Sequence, residues 1–318
     1  MHSRPLTDDE RTAIHEQVLR AVALNREPGY HFAGNFVDLS YDRLTPEDTR
    51  LSLDAGPHLL EAGGEVNIGA VALLADLALA GSIRAGLDPA TRLATVNMHL
   101  SFTGAPLAGR LEAHGTFEGF VEGATGRQGL ARVTLLAGGR AAAFGGGAFM
   151  VLKPPKGVEL APVPLRRGKA TPTPAIEGGL KRDEAKIVAH TDATLAAVAH
   201  EGGSFIHRFW GGAPHPVTGG AACTVKNGPH IGNRVGHVQG GVLLGLAATT
   251  ACAALPPTWM LTGISVWYIS PGEGRVLKVK SKIVHHGRLV SVVRTQVTGK
   301  GGRHVLEVVT NHALRAHS

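Results

Sequence analysis

Asn67-Ile-Gly-Ala-Val-Ala-Leu-Leu-Ala-Asp76 and, later in the chain, Gln239-Gly-Gly-Val-Leu-Leu-Gly-Leu-Ala-Ala248 are two versions of one pattern. Each opens on a side-chain amide, passes through glycine and continues as an apolar run at helical length. They differ at the end, where the first has Asp76 and the second has Ala248 at the matching position. Asp76 is the one charge between Val66 and Ile83. Burying an ionised carboxylate among apolar groups costs several kcal/mol unless it is paired or neutralised, so a lone acid in such a helix is a functional candidate.

Outward from these runs the two halves follow one order: an amphipathic helix, an irregular loop, a buried helix and several strands. Thr7-Asp-Asp-Glu10 is a capping box, and Ile14, Val18, Leu19 and Val22 recur at helical spacing behind it. Lys181 to His200 reads as the second leading helix. Strand-like runs follow the first buried helix at Thr95–Phe102, Arg110–Phe117, Leu130–Ala137 and Ala141–Leu152. Those of the second half are Ser265–Ile269, Arg275–Val284, Arg288–Val297 and His304–Thr310, with Gly between them as in antiparallel hairpins. Between the halves, prolines at 154, 155, 162, 164, 172 and 174 predict an extended linker. The boundaries expected are therefore 1–152, a linker over 153–179, and 180–318. A duplication of this kind predicts an α+β protein, with an antiparallel sheet wrapped around a central helix, made twice and packed against itself.

The 318 residues, 43% hydrophobic and 18% charged, give a globular composition with ample material for a core. Two cysteines, Cys223 and Cys252, have neither the number nor the spacing of a disulfide framework or a zinc site, so no metal and a reducing compartment are expected. No apolar segment follows the charges of the first ten residues, which leads to the expectation of a cytoplasmic protein. The span 235–272 has no Asp, Glu, Lys or Arg, raising a membrane-crossing alternative. Its Gly-, Ala- and Thr-rich character and its break at Pro256-Pro257 favour a buried helix followed by a strand. The net charge of +7 suits an anionic substrate or nucleic acid, but the basic residues are dispersed and no Lys/Arg block is interleaved with aromatics, so no nucleic acid is expected. Lys278, Lys280 and Lys282 alternate on one face of a strand, read as a wet face that discourages edge pairing. Serine-hydrolase, phosphate-loop, zinc-peptidase and dinucleotide-binding motifs are missing from the sequence.

The two runs, with His237-Val-Gln239 leading into the second, resemble the central-helix motif of hotdog-fold acyl-CoA thioesterases of the phenylacetate-pathway (PaaI-like) type, within the 4-hydroxybenzoyl-CoA thioesterase superfamily. There a His-Gly-Gly opens the helix and an acid follows nine residues after the His. The likeness covers roughly residues 30–152 and 205–314. It implies two hotdog domains forming an intrachain pseudo-dimer, with each site built across the interface. One site would join Asp76 and Thr95 to Asn233, Gln239 and Gly240. The other would join Ala248 and Ser265 to Glu61, Asn67 and Ile68, and it lacks the acid.

By the same resemblance Asp76 is general base or nucleophile, Thr95 orients water or the acid, and Asn233 holds substrate and water. Gly240 N–H polarises the thioester oxygen, and Gln239, Gly241 and His237 contact substrate. An unpaired N–H at a helix start suits a developing oxyanion, and burial should raise the Asp76 pKa toward the working range of a base. Gln239 stands where the family has His, and it cannot titrate. The first half has Ile68-Gly69 in place of Gly-Gly. Thr95 also reads as an ordinary strand residue, Asn233 as a turn former, and Gly240 and Gly241 as packing residues.

The expectation is thus hydrolysis of an acyl-CoA to acid and CoA at one site per chain, with no cofactor beyond the CoA of the substrate, and with no membrane partner. Alternatives are a non-catalytic acyl-CoA or apolar-ligand binder and a hotdog enoyl-CoA hydratase or dehydratase. Pairing of chains into a homodimer and the identity of the acyl group stay open. Loops 104–109 and 211–216 are the expected determinants of acyl-pocket size.

Overall fold

The computed structural model describes residues 5–29, 31–88, 91–124, 126–153, 161, 167–211, 213–233 and 236–315. Residues 154–160 and 162–166 of the proline-rich linker therefore lie outside the described residues. The first half contains α1 (Asp8–Leu24), α2 (Phe32–Phe36), β1 (Ser40–Arg43), β2 (Thr49–Asp54), α3 (Ile68–Ala85), β3 (Arg92–Phe102), β4 (Arg110–Gly123), β5 (Gly126–Ala137) and β6 (Arg140–Leu152). The second contains α4 (Arg182–Glu201), α5 (Phe205–Trp210), β7 (His215–Val217), β8 (Gly220–Lys226), α6 (Gly240–Cys252), β9 (Trp259–Tyr268), β10 (Val276–His286), β11 (Val290–Thr298) and β12 (His304–Leu314). The short elements α2, β1, β2, α5, β7 and β8 carry too few residues for a periodic signal and were not expected from the sequence.

The twelve strands of the described residues form one antiparallel sheet in the order β1-β2-β4-β5-β6-β3-β9-β12-β11-β10-β8-β7. The second six strands repeat the order of the first in reverse, so the halves meet edge to edge at β3 and β9. The join runs through Asn97 opposite Trp267, Met98 opposite Val266, His99 opposite Ser265, Leu100 opposite Ile264 and Ser101 opposite Gly263. Such a union removes two strand edges that would otherwise expose unpaired backbone groups. The three lysines face outward on β10 as expected, but β10 lies between β11 and β8, so edge protection is not their role.

Both apolar helices are core elements. Of the 18 residues of α3, 13 are buried, with Leu73, Leu74, Leu79 and Ile83 fully so. Each such side chain contributes about 1.5–3 kcal/mol of burial. The helix is long and apolar enough to cross a bilayer, yet its surface is taken up by the sheet and by α6.

Two close approaches fix how α3 and α6 meet. A β-carbon on Gly245 would lie 2.1 Å from Gly69 Cα, and one on Gly241 would lie 2.5 Å from Leu73 Cα. Residue 69 opposite 245 and 73 opposite 241 runs the helices antiparallel. That register carries the first turn of α6 toward Asp76.

The leading helices form as the sequence predicts. Thr7 Oγ1 accepts from the Glu10 N–H at 3.2 Å, and Glu10 Oε2 accepts from the Thr7 N–H at 2.9 Å. Glu184, in the first turn of α4, accepts both the Lys181 N–H and a two-pronged contact from Arg26 just past α1, which ties the two leading helices together. Beneath them Phe32, Phe36, Phe205, Phe209 and Trp210 stack on one another with His58 and His190.

Candidate active site

Asp76 projects from the middle of α3 and is 4% exposed. Thr95 Oγ1 donates to its Oδ1 at 2.9 Å, and Gln239 Nε2 donates to its Oδ2 at 3.0 Å. Burial pushes the carboxyl up from 3.8 to about 6, while the two hydrogen bonds act in the opposite sense by favouring the ionised form. The residues around Asp76 in sequence offer it no local partner. Its partners come from β3 and from the start of α6, far away in sequence.

Thr95 reaches the carboxylate through a local irregularity. The β3–β6 pairing slips between Thr95 opposite Phe149 and Asn97 opposite Ala148, so an extra residue is inserted beside the site. A bulge of this kind re-aims the neighbouring side chain.

Gln239 is the N-cap of α6, with Oε1 accepting from the Val242 N–H at 2.9 Å while Nε2 holds Asp76. Its amide is thus engaged at both ends. It positions the acid, and the residue also lines the cavity in which substrate contact is expected of it. Gly240 is the first helical residue, in the turn whose N–H groups lack acceptors one turn earlier. Asp76 Oδ2 lies 3.7 Å from the place a β-carbon on Gly240 would occupy. Gly241 faces Leu73 and is not among the residues lining the cavity, so its missing side chain serves helix packing and not substrate contact.

The cavity beside Asp76 measures about 420 Å³ and is bounded by Thr95, Asn233, His237, Gln239, Gly240 and Tyr268, with α3 along one wall. Asn233 closes a tight turn: its N–H donates to His237 O at 2.6 Å and its Oδ1 accepts from the His237 N–H at 3.0 Å. The turn-forming role and a place in the cavity wall are therefore both filled by one residue. His237 also lines the cavity, with Nε2 3.4 Å from Glu273 Oε1. His230 instead packs on His190 and Phe209, and burial pushes it down to about 3, which keeps it neutral.

Tyr268 was not singled out from the sequence. Its hydroxyl donates to Gly240 O at 2.9 Å, and its ring packs beside Gly240 in the cavity wall. Burial and the charge of Asp76 hold its phenol well above the usual range, so it stays protonated. The signal available was its place in Ser265-Val-Trp-Tyr-Ile269, where Tyr alternates with exposed Trp267 and Ile269 and so turns inward.

The described residues of loops 104–109 and 211–216 do not line this cavity. Another part of its wall comes from the segment around His31, Leu39, Tyr41 and Leu44, where the sequence predicts only an irregular loop.

The equivalent place in the other half is filled. Asn67 caps α3, accepting from the Gly69 N–H at 2.7 Å, and its amide nitrogen donates to Glu61, which also meets His207 Nε2 at 2.6 Å. The ring of Trp210 comes within 2.8 Å of where a β-carbon on Gly69 would sit. Only about 10 Å³ remains there, beside Asn67, His207 and Trp210. Ala248 is fully buried and supplies no acid, and Ser265 does not line the remnant.

Residues 230–315 match the family model described as the acyl-CoA thioesterase N-terminal domain. No curated protein matches the chain in sequence. Among solved structures, the chain is similar to a conserved protein of unknown function with a hot dog fold from Alicyclobacillus acidocaldarius, at 10% identity and TM-score 0.52, over 88% of this chain and 96% of that one. It is also similar to a proposed oleoyl thioesterase from Lactobacillus plantarum, at 9% identity and TM-score 0.51, over 84% of this chain and 96% of that one. A proposed thioesterase from Novosphingobium aromaticivorans matches at 14% identity and TM-score 0.51, over 88% and 99%. The fold is the α+β hotdog fold.

Proposed function

We propose that the protein hydrolyses an acyl-CoA thioester to free acid and CoA, at one site per chain made jointly by its two halves. In this reading the chain is a pair of hotdog units of the PaaI-like kind, divided at 1–152, 153–179 and 180–318 and acting as its own pseudo-dimer. It works in the cytoplasm without a metal or added cofactor. The observation that carries the proposal is a buried carboxylate, raised to about 6, set against the first turn of α6 in the wall of a 420 Å³ cavity. A base of that pKa is mostly ionised at neutral pH and still accepts a proton readily.

The thioester carbonyl oxygen lies toward the Gly240 N–H, where the helix start carries partial positive charge. Asp76 takes a proton from water as the water oxygen attacks the carbonyl carbon. The tetrahedral oxyanion then collapses, the C–S bond breaks, and the CoA thiolate leaves and takes up a proton. Thr95 and Gln239 keep the carboxylate in place, and Tyr268 holds the Gly240 peptide through its carbonyl. Direct attack by Asp76 Oδ on the carbonyl is the other route. A single turnover in 18O-labelled water separates them, because only the covalent route leaves label in the Asp76 side chain. Release of free thiol from an acyl-CoA panel, followed for wild type and Asp76→Asn, tests the function. We expect a loss of at least a thousandfold in the variant, and equal rates would remove Asp76 from the reaction.

A further inference from the structure

The cavity also has cationic side chains in its wall, away from Asp76. Arg84, in the last turn of α3, and Arg92, the first residue of β3, both line it. Arg84 Nη1 donates to the Thr91 carbonyl at 2.7 Å, which folds the end of α3 onto the start of β3 and brings the two arginines to one end. The Arg92 guanidinium has no hydrogen-bond or ion-pair partner among the described residues, although it is half-buried. A guanidinium in a partly desolvated wall without a counter-charge is a ready receptor for a carboxylate.

The position of this end along the substrate follows from the cavity's surroundings. Asp76 and Arg84 are eight residues apart on one helix, about 12 Å along its axis. At the other end Asn233 and His31 line both this cavity and a wide open groove of about 1360 Å³. Arg275, Lys278 and Lys300 lie in the wall of that groove together with Glu27, Asp183, Glu184 and Glu273. Glu184 is taken up by Arg26, the groove has room for the bulk of CoA, and the three cations are there to meet its phosphates. The thioester then sits between, at Asp76 and Gly240, and the acyl chain runs toward the arginines.

On this basis, and resting on the hydrolase reading above, we propose that the substrate is an acyl-CoA whose acyl chain ends in a second carboxylate, bound by Arg92 with Arg84 beside it. The helix alignment that sets Asn67 against Gln239 sets Pro256 against Arg84, and the strand alignment of Thr95 with Ser265 sets Thr262 against Arg92. The plugged site in the other half thus lacks the arginines together with the acid.

The test compares kcat/KM for suberoyl-CoA and octanoyl-CoA, and for adipoyl-CoA and hexanoyl-CoA, in wild type, Arg92→Gln and Arg92→Lys. Wild type should prefer the carboxylate-ended member of each pair at least tenfold. Arg92→Gln should abolish that preference while leaving the methyl-ended rate within about twofold, and Arg92→Lys should retain part of it. No preference in wild type overturns the proposal, and so does an equal loss for both members in Arg92→Gln, which would assign the guanidinium to CoA or to folding. If no thiol is released from any thioester, the hydrolase reading fails. The carboxylate site is then decided by calorimetric binding of the same pairs, where equal affinity in wild type overturns it.

Discussion

Asp76 sets a trade between stability and function that can be measured. Its folded pKa of about 6 lies above the ordinary 3.8, so the native state binds the extra proton between those values. Native stability therefore falls as pH rises through about 4 to 6, and the cost persists above that window. Asp76→Asn removes the buried charge while its amide can still bond to Thr95 and Gln239. Chemical denaturation at pH 7 should find the variant more stable by about 2 kcal/mol, with activity gone. Loss of stability would mean that the ionised form is better compensated than its burial implies. Thr95 acts through the same group. Its hydrogen bond favours ionised Asp76, so Thr95→Ala should move the acid limb of the kcat/KM profile from near pH 6 to higher pH. A fall in rate at all pH values with an unmoved midpoint would instead leave Thr95 a strand residue.

At the scale of elements, two neighbouring glycines have different tasks. Gly245 lies where a β-carbon would strike Gly69 Cα at 2.1 Å, a backbone atom that cannot yield. Gly245→Ala should push α3 and α6 apart and lower stability by about 3 kcal/mol, read as a shifted denaturation midpoint. A β-carbon on Gly240 meets nothing closer than the Tyr268 ring at 3.3 Å. Gly240→Ala should fold with stability within about 1 kcal/mol of wild type, while its methyl group projects toward Asp76 and Tyr268 and lowers kcat/KM at least tenfold. If the two variants lost stability equally, the distinction between a packing and a site glycine would be lost. The sequence displayed both as helix-opening or helix-interior glycines and could not tell them apart, because the distinguishing atoms belong to the other helix.

Across the whole molecule the strand order is symmetric about the β3–β9 junction while the chemistry is not. One end of the helix pair keeps an open cavity with an acid, and the other is plugged by Trp210 with no acid at Ala248. Calorimetric titration with a non-hydrolysable thioether analogue of acyl-CoA should give one ligand per chain. Two ligands per chain would show that the plug opens. Trp210→Ala should cost about 3–5 kcal/mol of stability by leaving a cavity, without adding a second active site.

The sequence by itself determined the duplicated helix motif, the antiparallel strands after each copy, and Asp76 as the residue to question, because hydrophobic periodicity and the cost of a buried charge are local properties of the chain. It also marked which copy had lost its acid. The tertiary structure alone decided that the half-sheets join edge to edge through β3 and β9, that Gln239 holds Asp76, that Tyr268 grips Gly240, and that Arg92 shares the cavity. Each of those depends on contacts between residues distant in the chain. Those contacts are set by the antiparallel crossing of two helices through their glycines, and no spacing along one strand of sequence records that register.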